Sequence, residues 1–288
     1  MRKLFGIISS VLLSAVLAQA QGGAAQPDAG ARVLDQVTAI SSGADTKARG
    51  AAIKKRLDDL GISYRVETFV YEGQEGNNIV ADLPSPRATK QLMLGAHYDR
   101  VDEGKGAIDN ASGAVAVLEL LAALKKSPLK NYKVSAAFFD LEEIGLRGSA
   151  AYIKSLKGQN LPTVFINFDV FGYGDTLWAM TTDKKSLSAV SVSQAAAERK
   201  LHLEIGSAYP PSDHLSFIEA KVETLSFSLI DGKEIKPILQ VFKRERPDTM
   251  PRVLTIIHSD NDTPDKIDGA AVARALPVVE QAIRLMDK

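Results

Sequence analysis

The chain of 288 residues contains no cysteine. That absence removes disulfides, thiol nucleophiles and every thiolate metal site, so a metal could be held only by histidine and carboxylate. Histidine is scarce as well: His97, His202, His214 and His258 are the whole supply. Charge of neither sign is in excess, with 35 basic and 35 acidic residues, so nothing advertises a nucleic-acid or anionic-membrane surface. Without cross-links the fold must rest on its core. A chain this long, 45% hydrophobic and 24% charged, can bury enough apolar surface for one sizeable domain.

The amino end stands apart. Arg2 and Lys3 precede the apolar run LFGIISSVLLSAVLAQA, which closes on the small residues Ala18 and Ala20. A positive start, an apolar middle and a small-x-small end are the anatomy of a secretory signal peptide, with cleavage expected after Ala20. A membrane anchor is the alternative, but the run is shorter than the roughly 20 residues of a spanning helix. The expected organisation is a signal peptide (1–20), a flexible leader (21–31) and a single domain (32–288) in an exported protein, periplasmic or extracellular.

Two helical patterns follow, ARVLDQVTAISS and TKARGAAIKKRLDDL, the second stopped by Gly61. SYRVETFVY and NNIVADL read as strands around the turn-rich EGQEG. Then KQLMLGAHYD, YKVSAAFFD and TVFINFDV, apolar strands, alternate with the helices SGAVAVLELLAALKK and LRGSAAYIKSL. That alternation predicts an α/β fold: a three-layer domain with a mostly parallel sheet covered by helices on both faces. Further on come a strand near TLWAMTT, a helix near 184–200, strands near LHLEI and ETLSFSL, and a last helix over 269–286. The basic segment KEIKPILQVFKRERPD (233–248) reads as a surface helix rather than a lid.

Polar residues cluster where the apolar strands end. His97, Tyr98 and Asp99 end one strand, Glu142 and Glu143 follow another, and Asp169 ends the third. Ligand sites of open α/β sheets lie outside the carboxyl ends of the strands. Asp109, in AIDNASG, and His258, in TIIHSDND, can join them. Each has a plainer reading: Asp109-Asn110 as a turn and helix cap, Asp169 as a cap, His258 as a satisfied loop histidine, the glutamates as solvated. Their joint occurrence on one predicted edge favours a site with oxygen and nitrogen ligands.

The ordered motifs GAHYD, DNASG, EEIGLRGS, INFD with GYGD, SDHLSF and HSDNDTPDKID resemble those of secreted zinc exopeptidases of the aminopeptidase Y and bacterial leucyl aminopeptidase type. Plasma glutamate carboxypeptidase and, more distantly, glutaminyl cyclases belong to the same group. The resemblance spans roughly residues 75–270. It implies two zinc ions: His97, Asp109 and Asp169 on one, Asp109, Glu143 and His258 on the other, with Asp109 bridging. It makes Glu142 the general base that takes a proton from the attacking water and passes it to the leaving amine. A shared carboxylate offsets the repulsion of neighbouring cations, and imidazole with carboxylate suits zinc. Asp99 would fix the tautomer of His97 by accepting its other ring N–H, or be purely structural.

SDHLSF resembles a pocket-lining segment. Asp213 is expected either near the catalytic centre or as a helix cap, and His214 as structural. Ser216 replaces the usual proline of the motif, which leaves the local wall open. Arg100 could meet a substrate carboxylate or simply be solvated. Tyr173 and Tyr209 could line the pocket or pack. Asp140 has no expected role beyond solvation or a hydrogen bond within its loop.

The expected function is a metal-dependent exopeptidase removing N-terminal residues from peptides, with peptide substrates as its only deducible partners. Two rivals share the frame: a glutaminyl-cyclase-like acyltransferase, or carboxypeptidase or dipeptidase specificity. Ile257 before His258 favours hydrolysis, since cyclases tend to carry tryptophan there. A binding protein without catalysis is the third reading, and the intact ligand and base set speaks against it.

Overall fold

The computed structural model describes residues 28–85 and 87–288. The stretch expected to be a signal peptide, and the leader through Pro27, lie outside them.

Eight strands form one sheet: β1 (Tyr64–Tyr71), β2 (Gln74–Asp82), β3 (Lys90–His97), β4 (Tyr132–Phe139), β5 (Val164–Phe171), β6 (Thr176–Thr181), β7 (His202–Gly206) and β8 (Glu223–Ile230). Their spatial order is β1-β2-β4-β3-β5-β8-β6-β7. The central strands β4, β3, β5 and β8 run parallel, as near-continuous apolar strands covered on both faces do. In β4, Val134, Ala136 and Phe138 face one core while Ala137 and Phe139 face the other, the period-2 alternation of a strand between two layers. Toward the margins β1 on β2, β2 on β4 and β6 on β8 are antiparallel, and the edge strand β7 runs parallel to β6.

The larger core packs α1 (Ala29–Ser41), α2 (Thr46–Asp59), α3 (Ser112–Lys126), α5 (Leu187–Arg199) and α8 (Gly269–Met286) against one face. The smaller core lies under α4 (Arg147–Ser155) and α6 (His214–Glu219). There Phe217 stacks on Phe165 with ring centroids 3.5 Å apart and planes 9° from parallel.

Three local expectations change. Residues 72–76 are not all loop: the turn closes at Glu72 and Gly73, with φ of 48° and 82°, and Gln74–Gly76 belong to β2. Two successive positive φ values are the geometry of a tight hairpin turn whose twist matches the strands. The leader was drawn too far, since α1 starts at Ala29, where Asp28 accepts the N–H of Gly30 at 3.3 Å. The basic segment 233–248 is helical only as α7 (Ile235–Phe242). Arg244, at φ 62°, ends it: the N–H of Glu245 reaches Gln240 O and that of Arg244 reaches Val241 O, both at 2.8 Å. This is a Schellman closure with arginine where glycine is usual.

Candidate metal centre

The parallel strands β4, β3 and β5 bring three polar ends together on one edge. His97 is the last residue of β3. Beyond β4, Leu141 at φ 57° turns the chain, so that Glu142 and Glu143 lie over the strand end. In β5 the pairing with β8 slips between Phe168 and Phe171, and Val170 takes φ 55°. The irregularity falls beside Asp169, as a bulge that re-aims a side chain does. Asp109 sits in the single π-type turn Ala107–Ala111 ahead of α3, and its bond to Asn110 is cis. Asn110 fixes this turn by donating to Phe168 O at 2.8 Å and accepting Gly113 N–H at 3.0 Å. His258 follows the short 3-10 turn Val253–Thr255, at φ 56°.

The side chains converge around Asp109. Its Oδ1 lies 3.1 Å from His97 Nε2, and its Oδ2 lies 3.1 Å from His258 Nε2. The same His97 nitrogen is 3.6 Å from Asp169 Oδ1, and the same His258 nitrogen is 3.0 Å from Glu143 Oε2. Ligand atoms of His97, Asp109 and Glu143 fall within 4.8 Å of one another, as do those of His97, Glu142 and Asp169. Glu142 therefore stands beside the cluster. Asp99 lies behind it, with Oδ2 accepting Glu143 N–H at 3.1 Å and Oδ1 3.4 Å from His97 Nδ1.

The charges do not balance among the side chains themselves. Burial pushes Glu142 well above the ordinary carboxylate range; Asp213, Asp169 and Asp109 push it further against the pull of His97. Burial also raises Glu143. It would raise Asp109 too, but hydrogen bonds to His258 and His97 hold that group low. Those bonds to Asp109 and Glu143 push His258 up to about 10. Burial disfavours charge on His97, yet the surrounding carboxylates raise it well above its usual value. Protons on two histidines thus occupy the place of positive charge that a divalent cation would supply. Buried Asp99 Oδ1, Glu143 Oε1, Asp169 Oδ1 and His97 Nδ1 have no hydrogen-bond partner, and orphaned polar atoms of this kind call for an ion or water. Oxygen and imidazole donors, with no sulfur, fit zinc.

Other expected residues take distinct places. Asp213 precedes α6 but makes no capping bond, so the cap reading is corrected. It is fully buried with both oxygens unpartnered, and burial pushes it up to about 7, with His97 opposing. His214 turns to the edge of the Tyr209 ring, and burial lowers it to about 4. Ser216 joins α6 to α4 through a 2.9 Å hydroxyl contact with Ser149. Arg100 does not line the cavity. Its guanidinium donates to the carbonyls of Val101 (2.5 Å) and Asp102 (2.8 Å) in its own loop and of Ala44 (3.2 Å) in the connection between α1 and α2. Tyr173 lies elsewhere as well, donating to Glu234 Oε1 at 2.8 Å beneath Arg252. Tyr209 does line the cavity.

Several supporting residues escaped the sequence reading. Arg49 of α2 is fully buried and donates to the carbonyls of Tyr98 (2.6 Å), Lys105 (2.7 Å) and Gly106 (3.1 Å), pinning the loop between His97 and Asp109. Asp262 accepts the N–H groups of Ile108 at 2.7 Å and Asp109 at 3.1 Å. Asp140 is buried and ties the end of β4 to β2, accepting Asn77 N–H at 2.9 Å and, more loosely, the hydroxyl of Tyr98 at 3.4 Å. The cavity over the centre, about 220 Å³, has an apolar wall that includes Trp178, Ile230, Ile238, Phe242, Leu254 and Ile257.

Known proteins resemble the chain to differing extents. Over 123 residues the chain is 35% identical to leupeptin-inactivating enzyme 1 of Streptomyces exfoliatus, covering 42% of this chain and 28% of that enzyme. The matched stretches make up between 21% and 39% of the lengths of the curated relatives. Among solved structures, a zinc aminopeptidase from Bacillus subtilis superposes with a TM-score of 0.61 at 25% identity, over 74% of this chain and 50% of that one. The glutaminyl cyclase of Porphyromonas gingivalis gives 0.67 at 20% identity, over 90% and 97%, a likeness of fold. Residues 78–283 match the family described as peptidase family M28, a span that takes in His97, Asp109, Glu142, Glu143, Asp169 and His258, and the chain belongs to that family.

Proposed function

We propose that the chain is an exported, zinc-dependent exopeptidase that removes N-terminal residues from peptides. The observation that carries the reading is the division of Asp109, one carboxylate oxygen 3.1 Å from His97 and the other 3.1 Å from His258. A carboxylate so shared suits two cations, His97 and Asp169 holding one, Glu143 and His258 the other. Bound there, zinc would supply Lewis acidity toward a carbonyl oxygen and a more acidic water.

The remaining work falls to the chain. Glu142 is half-buried beside the cluster, with a carboxylate oxygen within 4.8 Å of ligand atoms of His97 and Asp169; as a carboxylate there it can accept a proton from the attacking water and deliver it to the departing amine. Asp99 steadies the backbone of Glu143, and its other oxygen stands 3.4 Å from His97 Nδ1, where it would orient the ring once drawn into a hydrogen bond. The apolar wall of a cavity of about 220 Å³ suits one apolar side chain at the amino end of the substrate, since pockets for larger ligands run to about 300–1,000 Å³. Export rests on the signal-like residues 1–20, and the single domain on one continuous eight-stranded sheet.

Purified protein should carry about two zinc equivalents, release amino acids from aminoacyl-anilides and lose that activity to a chelator. Glu142→Ala should lower turnover by about 10²–10⁴ while zinc content stays the same. A Glu142→Ala protein as active as its parent overturns the mechanism. Conversion of glutaminyl peptides to a cyclised product without hydrolysis would move the reading to the cyclase.

A further inference from the structure

The basic segment noted in the sequence becomes a defined turn at the rim of the cavity. Phe242, the last residue of α7, lines the cavity, and Lys243, Arg244, Glu245 and Arg246, which follow it, are exposed. Among the described residues, none of the three cations forms an ion pair. The turn is not a loose tail, because two 2.8 Å backbone bonds, from Arg244 to Val241 and from Glu245 to Gln240, close it. The whole excursion 235–252 is also fastened at its base. Glu234 accepts Val253 N–H at 2.7 Å and the Tyr173 hydroxyl at 2.8 Å, and Arg252 covers the Tyr173 ring at 4.7 Å.

The interior has the opposite character. Asp109, Glu142, Glu143 and Asp169 line the cavity, and among its lining residues there is no lysine or arginine. Arg100, the other cation considered for a substrate carboxylate, is engaged by three backbone carbonyls. Beyond the two histidines at the metal cluster, the side-chain cations next to the cavity wall formed by Phe242 are those of this turn.

We infer that the turn Lys243–Arg246 binds the acidic part of a peptide substrate and so selects peptides with Asp or Glu beyond the cleaved bond. Acids roughly two to four residues along are within range, since an extended peptide advances about 3.3–3.6 Å per residue. The inference rests on the exopeptidase reading. It adds a preference to which neither the metals nor the apolar wall contributes. Phe242 is 49% exposed yet also lines the cavity, which sets the adjoining cations beside the substrate's path and favours a substrate over a bilayer as their partner.

The test compares Leu-Gly-Asp-Asp-Gly amide with Leu-Gly-Asn-Asn-Gly amide on the zinc-loaded protein, with a leucyl-anilide as reference. At low ionic strength the acidic peptide should have a kcat/KM about threefold to tenfold higher, chiefly through KM, as exposed charge pairs permit. Half-molar salt should erase the ratio. The variant Lys243→Gln/Arg244→Gly/Arg246→Gln should bring it to one with anilide turnover intact; glycine suits the positive φ of position 244. A ratio of one in the parent, or one unchanged in the variant, overturns the inference while leaving the exopeptidase reading in place. Failure of the parent on all three substrates brings down the reading, and the inference with it. Loss of binding to phosphatidylglycerol vesicles in the variant, with the peptide ratio unchanged, assigns the turn to a membrane and overturns the inference.

Discussion

Asp262 holds Asp109 by its backbone: one oxygen accepts the N–H of Asp109 at 3.1 Å and the other that of Ile108 at 2.7 Å. Asp262 is four residues past His258, and its own carbonyl accepts Lys105 N–H at 2.8 Å. The two loops that present Asp109 and His258 are thereby joined. In Asp262→Asn an amide N–H would face a backbone donor. Zinc affinity should fall by about 10–100-fold, the usual effect of losing a group that orients a ligand, as read by competition against a chelator of known affinity. Unaltered affinity would show that Asp109 is held by other means.

Gly113 opens α3 in close contact with its surroundings. A Cβ there would lie 2.3 Å from Asn110 Oδ1 and 2.6 Å from Phe168 O. Exposed glycine-to-alanine changes within helices commonly add up to about 1 kcal/mol. Here Gly113→Ala should instead cost about 1–3 kcal/mol in urea unfolding, as overpacking does. It should also loosen zinc, because Asn110 is the neighbour of Asp109. A stabilised variant would contradict the packing described.

His214 gives a pH dependence with a definite sign. Burial beside Tyr209 lowers its imidazole from about 6.5 to about 4. Below pH 6.5 the unfolded chain takes up a proton that the folded chain does not. The contribution of neutral His214 is thus complete above about pH 6.5 and is lost as pH falls toward 4. The stability difference between parent and His214→Gln should shrink across that window by up to about 3 kcal/mol. Taking the difference removes the opposing slope of Asp213, which is common to both proteins. A difference independent of pH would place His214 in contact with solvent.

Removal of metal should destabilise the fold. The carboxylates of Asp109, Glu143 and Asp169 converge at distances that require compensation. Free zinc at 100 times its dissociation constant would add about 2.7 kcal/mol. Dialysis against a chelator should lower Tm, and added zinc should restore it. An unchanged Tm would mean that the protonated histidines balance the site without help.

The candidate site was legible because its signal is carried by side-chain type at strand ends: apolar strands ending in His97, Glu142–Glu143 and Asp169 are unusual enough to be read jointly. The supporting groups left weaker traces. Arg49 shares the buried stripe of α2 with Ile53 and Leu57. A charge on an apolar stripe at i, i+4 spacing was a visible clue, though its acceptors are carbonyls that any residue provides. Asp262 and Asp140 also bond to backbone, which has no sequence signature. Arg100, weighed as a partner for a substrate carboxylate against a solvated cation, instead donates to three backbone carbonyls, which have no sequence signature. The length of α7 was misjudged because arginine, not glycine, occupies the position at φ 62° that ends the helix.

The bond from Glu234 to Val253 has a consequence for how such a chain can diversify. Everything between these residues leaves and rejoins the domain at one closed point, while the turn leading to His258 begins on the fixed side of it. Lengthening, trimming or recharging the excursion would leave the frame that presents His97, Asp109 and His258 as it is. On the proposed function, substrate preference and hydrolytic chemistry could therefore drift separately, one along the excursion and the other along the edge of the sheet.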